Sequence, residues 1–248
     1  MTVALETRNL VKRFGGFTAT NDVTLSVRQG ARHALIGPNG AGKTTLINLL
    51  TGVLAPNSGQ ILLSGEEISR LPTHARVGRG LSRTFQINQL FGDFTPLDSM
   101  MLAIGEREGH GGMAWRQLSR DRAVADEAAA LLQRFRLADA MGVATTLLPY
   151  GKQRLLEIAL AIAAKPKVLL LDEPAAGVPE EERHEVLSLV RELPADVTVV
   201  LIEHDMDLVF SFADRISVLA QGALFAEGTV AEISKDPQVK AIYLGEDA

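Results

Sequence analysis

The chain contains no cysteine, which excludes disulfides and thiolate metal sites. It also lacks a membrane span: its most apolar region, residues 155–171, is interrupted by Glu157, Lys165, Pro166 and Lys167. That falls well short of the ~20 continuous apolar residues that a bilayer requires. The first ten residues have no basic stretch followed by an apolar one, so no secretory signal is expected. An excess of positive charge is missing too. The net charge is −5, and broad attraction to nucleic acid is not expected. No internal repeat or low-complexity tract occurs. Any membrane role must therefore come through a partner, and the expected location is the cytoplasm.

What is present is 248 residues, 46% apolar and 22% charged, the balance of an ordinary globule with room for one large domain or two small ones. The first thirty residues read as antiparallel strands, with Val23, Leu25 and Val27 alternating against polar neighbours. A short apolar run, Ala34-Leu35-Ile36, leads into a glycine-rich loop and a helix over 43–52. Pro56-Asn57-Ser58-Gly59 reads as a turn before a strand at 60–63. From about 91 to 148 strand signals vanish, and Leu118, Val124, Leu131, Leu132 and Phe135 recur at helical spacing, with 109–112 as a loop inside this insertion. Buried strands at 168–171 and 197–202 then alternate with a helix at 180–193, and Gln221-Gly222 turns a final hairpin. Apolar strands alternating with helices predict an α/β fold around a parallel sheet covered on both faces.

The chemistry concentrates in a few places. Gly37-Pro38-Asn39-Gly40-Ala41-Gly42-Lys43-Thr44 has the pattern Gly, any four, Gly-Lys-Ser/Thr between a strand and a helix. The glycines allow backbone N–H groups to curl around a phosphate, and the helix aims its positive end at the same anion. Lys43 would reach the outer phosphates of ATP, and the Thr44 hydroxyl would help hold Mg²⁺, with Thr45 beside it. Such a pattern arises by chance in roughly one chain of this length per hundred at ~7% glycine. Val168-Leu169-Leu170-Leu171-Asp172-Glu173 brings two acids to a strand end, where Asp172 would hold Mg²⁺ through its water shell and Glu173 would accept a proton from the attacking water. Alone, that is a common strand end; beside a phosphate loop it completes a site. Ile202-Glu203-His204-Asp205 repeats the arrangement on the next strand, and His204 would bond the γ-phosphate or align the water with Glu173. A lone histidine at a strand end is otherwise usually structural.

Leu148-Pro149-Tyr150-Gly151-Lys152-Gln153-Arg154 opens a helix to about 164, either as a second anion-binding helix start or simply as a capped core helix. Glu180-Glu181-Glu182 favours a helix start and is assigned no ligand. Trp115 is read as packing. The basic group Arg76, Arg79 and Arg83 reads as a solvated face, with a phosphate or partner contact as the alternative. Gln86, after the strand-like 81–85, says little by itself.

In order, these motifs resemble the ATP-binding-cassette subunits of transporters over essentially the whole chain. The resemblance implies a P-loop NTPase core with an N-terminal antiparallel β subdomain, residues 1–90 and 151–248, and an inserted helical signature subdomain at about 91–150. Phe14-Gly15-Gly16, Glu173-Pro174-Ala175-Ala176-Gly177, Ile202-Glu203-His204-Asp205-Met206 and Ala241-Ile242-Tyr243-Leu244-Gly245-Glu246 are similar to importers of branched-chain amino acids. By that resemblance Phe14 stacks on adenine. Gln86 links Mg²⁺ and the attacking water to the membrane subunits. Pro149, Tyr150, Gly151 and Lys152 serve the ATP held by a partner. It further implies two membrane-spanning subunits, a second and non-identical ATPase subunit in a head-to-head dimer, an extracytoplasmic solute-binding protein, no nucleic acid, and a peripheral place on the cytoplasmic face of the plasma (inner) membrane.

The chain departs from the family pattern where Pro149 replaces the usual serine and Lys152 the usual glutamine, the latter restoring some attraction by charge. Pro179 follows Val178 where many relatives carry Asp or Asn. Three rivals stand beside this reading. The ATPase of lipopolysaccharide export ends in a similar Tyr-Leu-Gly-Glu. Soluble cassette proteins of translation or DNA repair generally carry two cassettes or long insertions. A GTPase would need an Asn-Lys-x-Asp motif, which is absent.

Overall fold

The computed structural model describes residues 2–84, 90–109 and 121–244. Strand β1 (Val3–Phe14) pairs antiparallel with β2 (Phe17–Arg28), and with β4 (Ser58–Leu63) on its other side; β5 (Glu66–Glu67) completes a sheet in the order β2-β1-β4-β5. The expected turn at 56–59 is shorter than read from sequence, because Ser58 already pairs with Val11.

The second sheet has the order β10-β9-β3-β8-β7-β6, built from β3 (Arg32–Ile36), β6 (Leu81–Arg83), β7 (Val168–Asp172), β8 (Thr198–Ile202), β9 (Arg215–Ala220) and β10 (Ala223–Thr229). All adjacent pairs run parallel except β9–β10, so the sheet is mixed at one edge where the sequence suggested a parallel one. That edge follows from the hairpin at Gln221-Gly222, since a two-residue turn can join only antiparallel strands.

Strands β3, β7 and β8 are buried at every position. Their side chains alternate between two cores. Leu35, Leu170, Val200 and Ile202 pack with the antiparallel sheet and with α1 (Lys43–Thr51), through Leu5, Leu25, Leu46 and Ile61. Ala34, Ile36, Leu169, Leu171 and Leu201 face the opposite layer of helices. Continuous apolar runs are what a strand covered on both faces demands.

That helical layer contains α3 (Pro96–Arg107), α4 (Arg122–Arg134), α5 (Tyr150–Ala163), α6 (Glu180–Arg191) and α7 (Met206–Phe212); the short α2 (Thr73–Val77) precedes β6, and α8 (Val230–Ile233) and α9 (Pro237–Leu244) end the chain. Met100, Ile104, Val124, Leu132 and Phe135 of the predicted helical insertion are buried in the same cluster as Leu169 and Leu171. Thr95 opens α3 with a capping box to Asp98, Pro96 occupies its first turn, and Asp121 caps α4. Leu118, Trp115 and residues 110–112 of the expected internal loop lie outside the described residues. Among those described, no helix is long and apolar enough to cross a membrane.

Arg76 is not on a solvated face. It is 2% exposed, and its guanidinium donates to the carbonyls of Leu49, Leu50, Ser69 and Leu71. It therefore satisfies the orphan carbonyls at the end of α1. On β3, buried His33 shares a 2.8 Å hydrogen bond with Ser217 on β9, and burial pushes its imidazole down to about 4.

Candidate functional site

Three loops leave the same sheet edge. Leu35 on β3 is opposite Ile202 on β8, which is opposite Asp172 on β7. With strands ~4.8 Å apart, the phosphate loop starts about 10 Å from Asp172, with the Glu203-His204 strand end between them. Parallel α/β sheets bind ligands at this carboxyl edge.

The loop's shape is fixed by its neighbours. Gly37 (φ 151°) and Gly42 (φ 98°) adopt backbone conformations that L side chains resist, and a Cβ on either would run into the carbonyl oxygen of Leu219 or Ala19. The loop is tied to the final hairpin, with Gly222 N–H donating to the Ala41 carbonyl at 3.0 Å and Asn21 N–H to the Gly222 carbonyl at 2.7 Å. Lys43 Nζ donates to the carbonyls of Gly37 and Pro38 at 2.5 and 2.9 Å. Thr44 is exposed, Thr45 half-buried, and α1 begins without a side-chain cap. Backbone N–H groups at such a helix start are available to an anion. Phe14 presents a half-exposed ring at the end of β1, with Lys12 Nζ 5.1 Å from its centroid.

Asp172 is 5% exposed, and one carboxylate oxygen accepts from Arg83 Nη2 at 2.8 Å. Arg83 Nη1 donates to Asn48 on α1, also at 2.8 Å. This arginine is thus part of the site and not of a solvated face; Arg79, by contrast, forms a surface pair with Glu66. Glu173 has φ 48°, a left-handed conformation unusual for a side-chain-bearing residue. Its N–H donates to the Ile202 carbonyl at 2.9 Å. His204, largely exposed, brings Nδ1 to 3.9 Å from both Glu173 Oε1 and Glu203 Oε2, beyond direct hydrogen bonding. Glu203 is 2% exposed and accepts from Ala175 N–H at 3.2 Å; burial pushes its carboxyl up. Gln86 lies outside the described residues. Among the described residues no group of three or more histidines and carboxylates stands ready for a metal.

Pro149 and Pro179 are the N-caps of α5 and α6, and neither helix has a side-chain cap. Tyr150 is partly exposed and its ring lies against Gly177, while the Glu182 carboxylate occupies the space where a Cβ on Gly151 would project. Lys152 is engaged at the surface, 2.6 Å from Asp139. Its charge is therefore shared, not freely presented as the sequence suggested. Sequence reasoning assigned no role to Asn48, Arg154 or Glu203. The signal for Arg154 was its fixed place in the Tyr-Gly-x-Gln-Arg helix start.

A phosphate loop, an acidic strand end and a histidine strand end at one sheet edge define a nucleotide-hydrolysing site, and the comparisons identify its class. The family model described as ABC transporter matches residues 20–176, and that described as Branched-chain amino acid ATP-binding cassette transporter matches 223–248. The chain is 41% identical to the high-affinity branched-chain amino acid transport ATP-binding protein BraF of Pseudomonas aeruginosa, over 98% of both chains. It is 40% identical to LivG of Escherichia coli, again over 98% of both. A solved ATP-binding cassette of an ABC transporter, in its ADP conformation, superimposes with a TM-score of 0.86 at 32% identity, covering 99% of this chain and 100% of that one. This chain belongs to the ABC transporter family. It is a nucleotide-binding, ATP-hydrolysing transporter subunit, and within the family it groups with the ATP-binding proteins of branched-chain amino acid transport.

Proposed function

We propose that this chain couples ATP hydrolysis to the import of branched-chain amino acids, working on the cytoplasmic face of the plasma (inner) membrane. Its partners are two membrane-spanning subunits, a second and non-identical ATPase subunit in a head-to-head dimer, and an extracytoplasmic solute-binding protein. The observation that carries this reading is the convergence of Lys43, Asp172, Glu173 and His204 at one edge, in a chain 40% identical over its length to proteins named for that transport. We divide the chain into an α/β core with its β subdomain, residues 1–90 and 151–248, and a helical signature subdomain at about 91–150.

In this reading the backbone N–H groups of 37–45 cradle the phosphates, and Lys43 exchanges two loop carbonyls for phosphate oxygens. The hydroxyl of Thr44 and the carboxylate of Asp172 are hard oxygen donors, which suit Mg²⁺ together with nucleotide oxygens and water. Bound there, the ion would neutralise phosphate charge, and Gln86 is assigned by the family resemblance to link it and the attacking water to the membrane subunits. Arg83 keeps the Asp172 carboxylate oriented. Glu173 takes a proton from the water that attacks the γ-phosphorus as ADP leaves, and His204 moves in to bond the γ-phosphate or the water. Phe14 stacks on adenine. Pro149, Tyr150, Gly151 and Lys152 approach the ATP held by the other ATPase subunit.

The test is co-expression with candidate membrane subunits and reconstitution in vesicles. ATP-dependent accumulation of leucine, isoleucine or valine, dependent on a binding protein, is expected. Co-purification with ribosomes, or stimulation by lipopolysaccharide and not by loaded binding protein, would overturn the reading.

A further inference from the structure

Arg154 is 0% exposed, one turn into α5, and its guanidinium is shut away from solvent. Nε donates to the Pro174 carbonyl at 3.0 Å, and Nη2 donates to the carbonyls of Asp172 and Glu173 at 3.0 and 2.9 Å. Nη1 donates to Glu157 at 2.6 Å, one turn further along the same helix. A buried cation is tolerated only when its charge and donors are both satisfied. Here three consecutive carbonyls and one carboxylate do so.

Those carbonyls belong to the segment in which Glu173 is left-handed. The residue before a proline prefers extended backbone, so φ 48° ahead of Pro174 is strained twice over. Such a conformation persists when its surroundings over-determine it. At Glu173 the N–H is fixed by Ile202, while the carbonyl accepts from both Arg154 and Ala176 N–H, the latter at 3.0 Å.

We propose that Arg154 is a positioning residue that holds the Glu173 backbone in the conformation aiming its carboxylate, and so ties the start of α5 to the catalytic end of β7. The proposal rests on the reading of Glu173 as general base. It gives the helix two tasks. Its first turn, at Tyr150 and Gly151, addresses the ATP of the other subunit, and a residue only ~6 Å further along the axis holds this chain's own base. A shift of α5 when the subunits close is thereby felt at Glu173, which links one ATP site to the other through a single rigid element.

The experiment compares Arg154→Lys, Glu173→Gln and the double variant in the assembled transporter, with ATP turnover, ATP affinity and melting temperature as readouts. Lysine keeps the charge but cannot span three carbonyls. Arg154→Lys is expected to lower the Glu173-dependent share of turnover by roughly 10- to 100-fold, the scale of a slightly misplaced catalytic group, with ATP affinity unchanged. The double variant should be no slower than Glu173→Gln alone. If Glu173→Gln leaves turnover intact, the general-base reading fails and the proposal with it. If Glu173→Gln slows the enzyme but Arg154→Lys does not, or lowers ATP affinity in parallel, Arg154 is a packing residue and only the proposal fails. Should Arg154→Lys not fold, Glu157→Gln, which removes the buried counter-charge of Arg154 without emptying the core, takes its place. It should slow turnover and speed hydrogen exchange at the Ala176 amide, and no change in either overturns the proposal.

Discussion

At the end of β3 the phosphate loop is closed by its own chain: Leu219, Ala19 and Gly222 pack against its glycines, and Lys43 is held by two loop carbonyls. The starts of α5 and α6 are different. They begin at prolines, their first N–H groups receive no side-chain cap, and the neighbouring Glu182 and Asp139 engage Gly151 and Lys152 from the outside. Helices α3, α4 and α7 are finished locally, with Thr95, Asp121 and Asp205 bonding their first turns. Uncapped starts occur at α1, α5 and α6, which our reading directs at nucleotide, and also at the five-residue α2, which begins at Pro72. One region is complete within this chain, and in the proposed reading the other is completed by a partner subunit.

The sharpest way to break that contrast is Glu173→Gln. Loss of a positioned general base slows hydrolysis by ~10²–10⁴-fold while ATP stays bound, and the dimer should then persist longer. Unchanged turnover in the assembled transporter would remove the self-contained site from the argument.

The strand that delivers the phosphate loop carries a second dependence, on acidity. His33 is held neutral, with its pKa near 4, whereas in the unfolded chain it titrates near its ordinary 6.5. The unfolded state therefore binds the proton first as pH falls. The associated stability is fully present above 6.5 and is lost between 6.5 and 4, up to about 3 kcal/mol in all. Urea unfolding at pH 7.5 and pH 5 measures it. His33→Gln should flatten the pH dependence over this window; an unaltered slope would show that other groups govern it.

Lys43→Ala should weaken ATP binding by ~1.5–3 kcal/mol, the contribution of a charge-assisted hydrogen bond to phosphate. Phe14→Ala should weaken it less, and should spare inorganic triphosphate. Titration with ATP and with triphosphate separates the two. An equal loss for both ligands in Phe14→Ala would remove the ring from the adenine site.

The self-contained site was legible because its pattern is local: eight residues hold the loop, and its glycines reflect backbone geometry that no other residue fits. Asp172 and Glu173 became readable only beside that loop. The arginines were not readable, for a physical reason. Arg76 and Arg83 look in sequence like a solvated face, and Arg154 is given no role of its own, but Arg76 and Arg154 bind mainly backbone carbonyls contributed by segments such as 49–50 and 172–174. A carbonyl carries no side-chain identity, so only the fold reveals that these cations are buried. Lys152 errs the other way, since nothing local announces Asp139 as its partner.

The smallest predicted effect tests the partner-facing region itself. Each ATP of the dimer should be enclosed by one subunit's phosphate loop and the other's α5 start. In the proposed reading Pro149 and Pro179 bear on the ATP held by the partner, where a serine hydroxyl, and a backbone donor at Pro179, would be missing. Removing one aimed donor slows phosphoryl chemistry by ~10²–10³-fold at most. Glu182 adds negative charge beside Gly151, which disfavours an incoming phosphate further, while the α5 dipole and a Lys152 released from Asp139 offset part of the loss. The two sites should thus be unequal, with this chain's own the faster. Disabling the general base in each subunit in turn measures the inequality, and Glu173→Gln should remove the larger share of turnover. Restoring serine at Pro149 should narrow the gap. If the partner's equivalent mutation is as damaging or more so, the prolines are neutral replacements and the partner completes its site without help from these positions.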